Sequence, residues 1–114
     1  MRIKQCKYDE KRMGKFYPFL KNNGLSDYSS PRDPAIFFGM YSRSCLRTLK
    51  NHKGLAVVIW RGTDILKEGR LKNVISFKNN IRHVAISSFI IKDLEKYGVR
   101  YKFLPIPGVK FDDL

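Results

Sequence analysis

The fold of this 114-residue chain is decided by one stretch, Leu55-Ala56-Val57-Val58-Ile59-Trp60-Arg61-Gly62-Thr63-Asp64. Its first six residues are apolar without interruption, which is typical of a strand buried on both faces in a parallel sheet. Polar turn residues follow at once and include a glycine, the residue that turns accommodate most easily. The stretch therefore predicts a central strand that ends at Trp60 and a turn, Arg61 to Asp64, that carries polar side chains.

The same alternation of apolar runs and helical patterns extends to both sides of this strand. Apolar residues at 35–40 and 83–86 predict two further strands, and residues 99–106 predict a last strand at the edge of the sheet. Between them, the spacing of apolar residues predicts a helix over 42–52, with Ser42 as N-cap. A second helix begins at Ser87 or Ser88, carries an apolar stripe and stops at Gly98; the stripe consists of Phe89, Ile90, Leu94 and Tyr97. Strands that alternate with helices through short connections build right-handed crossovers and a parallel sheet.

The predicted fold class is α/β, a mostly parallel open sheet with helices on both faces. We expect a Rossmann-like core over 34–107, an irregular strand and loop region of the same domain over 1–33, and a linker over 108–114 toward a second domain. A short helix is predicted near Asp64 to Glu68. The stretch Val74 to Phe77 fits either a strand or a helix.

Charge is the unusual property of the composition. Lys and Arg total 23 against 10 Asp and Glu, which gives a formal net charge of +13. Such a surface attracts nucleic acid, acidic lipid head groups, anionic glycans or nucleotide phosphates, or it faces an acidic partner domain. The apolar share of 43 % suffices for a core, so a disordered chain is not expected.

The cysteines and the N-terminus indicate where the protein works. Cys6 and Cys45 form no C-x-x-C pair, and we interpret them as free thiols of a reducing compartment, with Cys45 a small core residue. The first ten residues lack the apolar segment of a secretory signal, and no apolar run reaches the length of a membrane span. The expectation is a cytoplasmic protein, held at most on a membrane surface by charge.

Ligands of open parallel sheets bind beyond the carboxyl ends of the strands. Within the turn that follows Trp60, Asp64 is suited to accept a proton from a substrate hydroxyl or to bind sugar hydroxyls, and Arg61 to pair with a phosphate or carboxylate. Capping of the following helix by Thr63 or Asp64 is compatible with either role. The turns after the three central strands supply the candidate substrate-binding residues Gly39, Tyr41, Gly62, Thr63, Ser87 and Ser88.

No metal site is predicted. His52 and His83 lack ligand spacing and have no Cys or acidic partner at zinc intervals. We expect His52 to complement the dipole at the end of its helix, and His83 to lie away from the carboxyl edge.

Three pieces of the chain resemble the N-terminal domain of GT-B-type glycosyltransferases. Val57 to Asp64 is similar to a strand of that family that ends in a small Gly-Thr-Asp turn. The segment from His83 to Ser87, followed by Phe89 and the Lys92-Asp93-Leu94 helix, resembles a strand, serine and striped helix of the family. Gly98 to Pro107 resembles the segment that leads into the linker between the two domains.

The resemblance spans about Pro34 to Gly108 and implies a sugar-transferring enzyme with an interdomain cleft. The N-terminal domain would bind a glycan or lipid-linked acceptor, and a C-terminal domain or subunit would bind the nucleotide-sugar. Asp64 would be the base or acceptor contact, with Arg61 and the basic surface holding an anionic acceptor or a membrane. No cofactor is expected of this chain, which would be inactive without the donor-binding domain. The family's Gly-rich turn has only a partial match in Gly39.

Two other functions compete with this one. The first is a non-enzymatic nucleic-acid-binding module, indicated by the charge and by basic residues interleaved with aromatics in Lys11 to Lys21 and Arg100 to Phe103. The second is another kind of small α/β protein that binds nucleotides or phosphate. Titration with free nucleotides and nucleotide-sugars distinguishes the second from the acceptor domain.

Overall fold

The computed structural model describes residues 3–9, 11, 17–67 and 69–104, without the side chains of 17, 19 and 21. Within this part of the chain, all pairings of the sheet are parallel, and the strands lie in the order β2-β1-β3-β4-β5-β6. The predicted open, parallel α/β sheet of Rossmann-like type is thereby confirmed. The strands are β1 (Gln5–Tyr8), β2 (Ser26–Asp27), β3 (Ala35–Phe38), β4 (Ala56–Trp60), β5 (Ile81–Ala85) and β6 (Tyr101–Phe103).

Helices cover both faces of this sheet. On one face, helices α2 (Arg43–Asn51), α3 (Arg70–Ser76) and α4 (Ser88–Lys96) contribute apolar residues to a single core cluster. Helix α1 (Tyr17–Asn22) packs Leu20 into a second cluster on the other face. The two clusters are separated by the sheet because successive side chains of a strand point to opposite faces.

The central strands are the best buried part of the molecule. Every residue of β3 and β4 is buried, as their uninterrupted apolar sequences predict. In β4, Val58 and Trp60 belong to the cluster under α2, α3 and α4, whereas Val57 and Ile59 belong to the cluster on the other face. β6 pairs only with β5 among the described strands and forms the expected edge.

The chain reverses its direction of travel across the sheet between β1 and β3. From β1 it moves outward to β2, and it then crosses back so that β3, β4, β5 and β6 follow on the other side. Tyr8 and Phe38 lie opposite each other at the carboxyl ends of the two strands that flank this reversal. Sheets with such a switch point commonly bind ligands in the crevice beyond it.

Gln5 holds the crossing from β2 back to β3 at the amino edge. Its buried side chain accepts bonds from the N–H groups of Ser29 and Ser30 and donates to the carbonyls of Ser30 and Asp33. All the polar capacity of one amide is therefore used on one loop, which fixes the loop against β1.

Several local expectations need correction. Val74 belongs to helix α3, which ends at Ser76. Of the two structures predicted for the stretch from Val74, strand or helix, the helix is therefore observed. Turns, not a helix, occupy 63–66, and Glu68 lies outside the described residues, as does the predicted linker. Phe89 and Tyr97, which the spacing put on the buried stripe of α4, are exposed, while Ile90 and Leu94 are buried.

Candidate functional site at the carboxyl edge

The turns after β3, β4 and β5 meet at the carboxyl edge of the sheet, and we call this surface the rim. It consists of residues 39–42, 61–64 and 87–89. The N–H of Met40 donates to Asp64 Oδ2 at 2.9 Å, which joins the first turn to the second. A Cβ on Gly62 would lie 2.9 Å from Phe89 Cζ, so the second turn is in close contact with the third.

Asp64 holds the first two turns of the rim together through hydrogen bonds to its carboxylate. Its side chain is fully buried, and Oδ1 accepts N–H bonds from Arg61 at 2.9 Å, Gly62 at 2.9 Å and Ile65 at 3.0 Å. With the Met40 bond, both carboxylate oxygens are held by backbone donors from two turns. The carboxylate therefore satisfies N–H groups that would otherwise be buried without a partner.

Two opposing effects act on the protonation of this carboxyl group. Burial raises the pKa of Asp64, because the charged form loses its solvation, while the bonds from the backbone N–H groups lower it. The geometry directs both oxygens toward the protein backbone. The expected role of Asp64 as a general base remains a prediction, and its observed contacts are those of a residue that positions the two turns.

Arg61 packs its guanidinium group against two aromatic rings. The guanidinium carbon lies 4.9 Å from the centroid of Phe38 and 5.2 Å from the centroid of Tyr41, within the range of cation–π attraction. Gly39 makes room for this packing, since a Cβ there would lie 3.0 Å from Arg61 Cδ, and its φ of +91° is one that side chains rarely adopt. A cation is thereby fixed at the end of β3, next to the switch point.

Hydroxyl groups and a second cation surround Tyr41. The exposed Thr63 donates its hydroxyl proton to Tyr41 Oη at 3.2 Å, and Lys67 Nζ donates to the Tyr41 carbonyl at 2.7 Å. Ser42 has the predicted N-cap role, because its hydroxyl accepts from the N–H of Cys45 at 3.1 Å. The rim thus combines positive charge with hydroxyl groups, a combination suited to an anionic, hydroxyl-rich ligand.

The serines after β5 occupy different environments. Ser88 is exposed, while Ser87 Oγ is buried and has no hydrogen-bond partner among the described residues. The ring of Phe89 is 56 % exposed beside Gly62. The third turn therefore adds an aromatic face to the rim, next to the polar groups of the second turn.

A hydrogen-bonded pair, the buried Trp60 and the half-buried His83, lies beneath the rim on the side of helices α2, α3 and α4. Trp60 Nε1 donates to His83 Nδ1 at 3.0 Å, which fixes Nδ1 as an acceptor and the ring as neutral. Burial lowers the pKa of His83 to about 4. His83 lies in the middle of β5, away from the carboxyl edge as expected.

His52 differs from its expected role. It is 2 % exposed, and it bonds to Tyr28 Oη through Nδ1 at 2.7 Å and to the Leu55 carbonyl through Nε2 at 3.2 Å. Burial lowers its pKa, so the ring is a neutral bridge in the core and not a charge at a helix end.

Sequence reasoning missed one residue of the rim, Phe89, and three residues that adjoin it, Phe38, Lys67 and Asp9. Phe38 was expected only as a buried strand residue, Lys67 was not singled out, and Phe89 was assigned to a core stripe. Asp9, one residue beyond β1, is a half-buried carboxylate at the same edge. The polar Asp9 directly after a strand was a usable signal; nothing local marked the other three.

Metal-ligand clusters and membrane-spanning helices are both absent from the part of the chain that the structure describes. In this part of the chain no group of His, Cys, Asp or Glu is arranged to hold a metal ion. None of the helices seen there has both the length and the apolar character to cross a membrane. Cys6 and Cys45 are buried free thiols on opposite faces of the sheet. Comparisons with protein-family models, with curated proteins and with solved structures gave no match.

Proposed function

We propose that this chain is the acceptor-binding α/β domain of a glycosyltransferase, with the rim as its acceptor site. The observation that carries the proposal is the joining of the three turns at one edge. Through Asp64 and the contact of Gly62 with Phe89, residues far apart in sequence form one surface. That surface lies where open parallel sheets bind their ligands.

The chemistry of the rim favours a sugar that carries a negative charge. The guanidinium of Arg61 is a planar donor suited to a phosphate or carboxylate, and stacking on Phe38 and Tyr41 restricts its motion. The hydroxyl of Thr63 and the exposed ring of Phe89 offer a polar and an apolar contact beside it. A sugar phosphate presents the complementary groups, as would the head of a lipid-linked acceptor.

In this proposal Asp64 acts by positioning and the donor binds elsewhere. Its carboxylate holds Met40 and Gly62 so that the turns keep their spacing. A second domain or subunit would bring the nucleotide-sugar, as the resemblance to the GT-B family implies. Asp9, at the same edge, is the half-buried carboxylate that we assign to contact with an acceptor hydroxyl.

The test is a titration of the isotope-labelled chain followed through its amide NMR signals, with glucose 1-phosphate as the probe. We expect the signals of Tyr41, Gly62 and Thr63 to shift, because these residues line the rim. Inorganic phosphate has the charge but no sugar, and maltose has sugar hydroxyls but no charge. Each should therefore bind more weakly. Free uridine diphosphate should also bind weakly, and tight binding of this nucleotide would favour a nucleotide-binding domain instead.

Two variants locate the effect. Thr63→Val keeps the size of an exposed side chain and removes its hydroxyl, and Arg61→Gln removes the cation. Both variants should weaken the binding of glucose 1-phosphate. Arg82→Gln, which removes the same charge at an exposed position of β5, should leave this binding unchanged. Equal binding by the Arg61 variant and the Arg82 variant would contradict the proposal.

A further inference from the structure

A basic groove lies on the helical face of the molecule, and it is separate from the rim. It runs between α2 and α3, opens toward the amino edge where both helices end, and has a volume of about 1240 Å³. We call it the α2–α3 groove. Its described lining residues are Arg43, Leu46, Arg47, Lys50, Asn51, His52, Lys53, Asn73, Ser76, Phe77, Lys78, Asn79 and Asn80.

The charge of the lining has one sign. Arg43, Arg47, Lys50, Lys53 and Lys78 all lie along it, and none of its described members is acidic. The sequence contributes to this bias, because it contains no Asp or Glu between Pro34 and Thr63. Like charges at helical spacings of three and four residues repel one another, so the arrangement costs stability unless an anion binds.

The spacing of the cations suits a chain of anions. Residues three or four positions apart on a helix are separated by about 4.5 to 6 Å along its axis. Arg43, Arg47 and Lys50 therefore form a row along α2, and Lys53 and Lys78 extend the positive surface at the end of the helix. A single small anion would use only part of this row, whereas a polyanion would use its length.

Asn79 offsets part of the negative charge at the end of α2 that would otherwise oppose such a ligand. Its Nδ2 donates to the carbonyl of Leu49 at 2.7 Å and also to the carbonyl of His52. These are carbonyls at the C-terminal end of α2, where the helix dipole is negative. The bonds satisfy them and leave the cations as the main charges of the groove.

The shape and floor of the groove select among polyanions. The floor carries the half-buried Leu46 and Phe77, and the walls carry the amides of Asn51, Asn73 and Asn80. A flat lipid surface does not enter a concavity, but a flexible strand does. Bases would meet apolar atoms and amide groups on the floor and walls while phosphates meet the cations.

We propose that the α2–α3 groove binds single-stranded nucleic acid through its phosphate backbone. The proposal does not depend on the acceptor role of the rim. Affinity should be insensitive to base sequence, because the cations of the groove contact phosphates and sequence is read from base edges. It should fall with salt, with a logarithmic slope of about −3.5 if all five cations contact phosphates.

The experiment measures fluorescence anisotropy of a labelled mixed-sequence RNA of about 12 nucleotides, within the site sizes of single-strand-binding folds. The whole chain is titrated over a salt series. Arg47→Gln with Lys50→Gln should weaken binding at least tenfold, at roughly 0.1 M salt, and reduce the magnitude of the slope by about 1.4. The exchanged pair Arg47→Lys with Lys50→Arg should restore the affinity, because it keeps both charges.

The matched control is Lys92→Gln with Lys96→Gln, which removes two exposed charges of α4 at helical spacing. It should leave the slope within about 0.5 of the parent value, less than the change from one phosphate contact, and circular dichroism checks that each variant is folded. Equal losses in both double variants would overturn the proposal, as would absence of RNA binding at low salt. Binding to vesicles of phosphatidylcholine and phosphatidylserine that exceeds RNA binding and depends on Arg47 and Lys50 would also overturn it, in favour of a membrane surface.

Discussion

The rim and the α2–α3 groove carry positive charge in different ways. In the rim, Arg61 packs against two rings, and its backbone N–H donates a hydrogen bond to the buried Asp64. In the groove, the cations form a row along α2 that continues past its end, and no acidic residue is among the described lining residues. The rim is built to keep one geometry, whereas the groove holds charges that repel one another. The difference indicates a shaped site for a small ligand at one place and a surface for an extended anion at the other.

The largest expected effect is a loss of stability when the buried carboxylate of the rim is removed. Asp64→Ala should lower the free energy of unfolding by about 3 to 5 kcal/mol, because several backbone N–H groups would lose their buried acceptor. Urea denaturation measures this loss. Asp33→Ala, the same change of charge at an exposed side chain, should cost under about 1 kcal/mol. Similar losses in both variants would remove the argument for a braced rim.

The next effect concerns acid and the pair beneath the rim. Because the pKa of His83 is lowered to about 4 in the folded chain, the unfolded chain binds a proton first as the pH falls. Stability should therefore be complete above about pH 6.5 and decline toward pH 4, by about 3 kcal/mol for this residue. His83→Gln keeps an acceptor for Trp60 and removes the titration, so its denaturation midpoint should depend less on pH.

The corresponding control lies beneath the groove. The pKa of His52 is also lowered by burial, and His52→Gln should remove its own share of the acid sensitivity without changing that of His83. Imidazole NMR signals report the two titrations separately. A titration of His83 near pH 6.5 in the folded chain would show that the neutral pair with Trp60 is not retained.

The smallest effect tests the strain in the groove. Arg47→Gln should raise the free energy of unfolding by about 0.5 kcal/mol at low ionic strength, since it removes like-charge neighbours on α2. The gain should vanish near about 1 M salt, where charges are screened over about 3 Å. Lys92→Gln on α4 should give no gain, because Glu95 at i+3 attracts Lys92 while Lys96 at i+4 repels it. A loss of stability in the Arg47 variant would mean that the cation packs as a structural residue.

Parts of the fold followed from local pattern. The runs that became β3 and β4 are apolar without interruption, and Ser42 and Cys45 lie where a capped amphipathic helix needs them. Helix α1 and strand β2 were not predicted. The helix is short and carries Pro18 in its first turn, where proline is tolerated, and the strand has two residues. Because these two elements were not predicted, the switch point between β1 and β3 could not be predicted from the sequence either.

The sequence predicted the location of the candidate site better than the roles of its residues. The turn from Arg61 to Asp64 was correctly located at the end of a buried strand, but the burial of Asp64 depends on the N–H of Met40, from the turn after β3. The position of the Phe89 ring beside Gly62 likewise depends on a neighbouring turn. Helical spacing gives the direction of a side chain on its own helix and contains no information about the neighbouring turn.

The sequence by itself determined which segments are buried, and from their order it determined a parallel sheet whose polar turns share one edge. Apolar runs and short connections suffice for that, because burial and crossover handedness act on each segment in turn. Only the tertiary structure decided that Asp64 points inward and that Lys78 lies beside the cations of α2. Both depend on how distant segments pack against each other, and local pattern leaves that packing open.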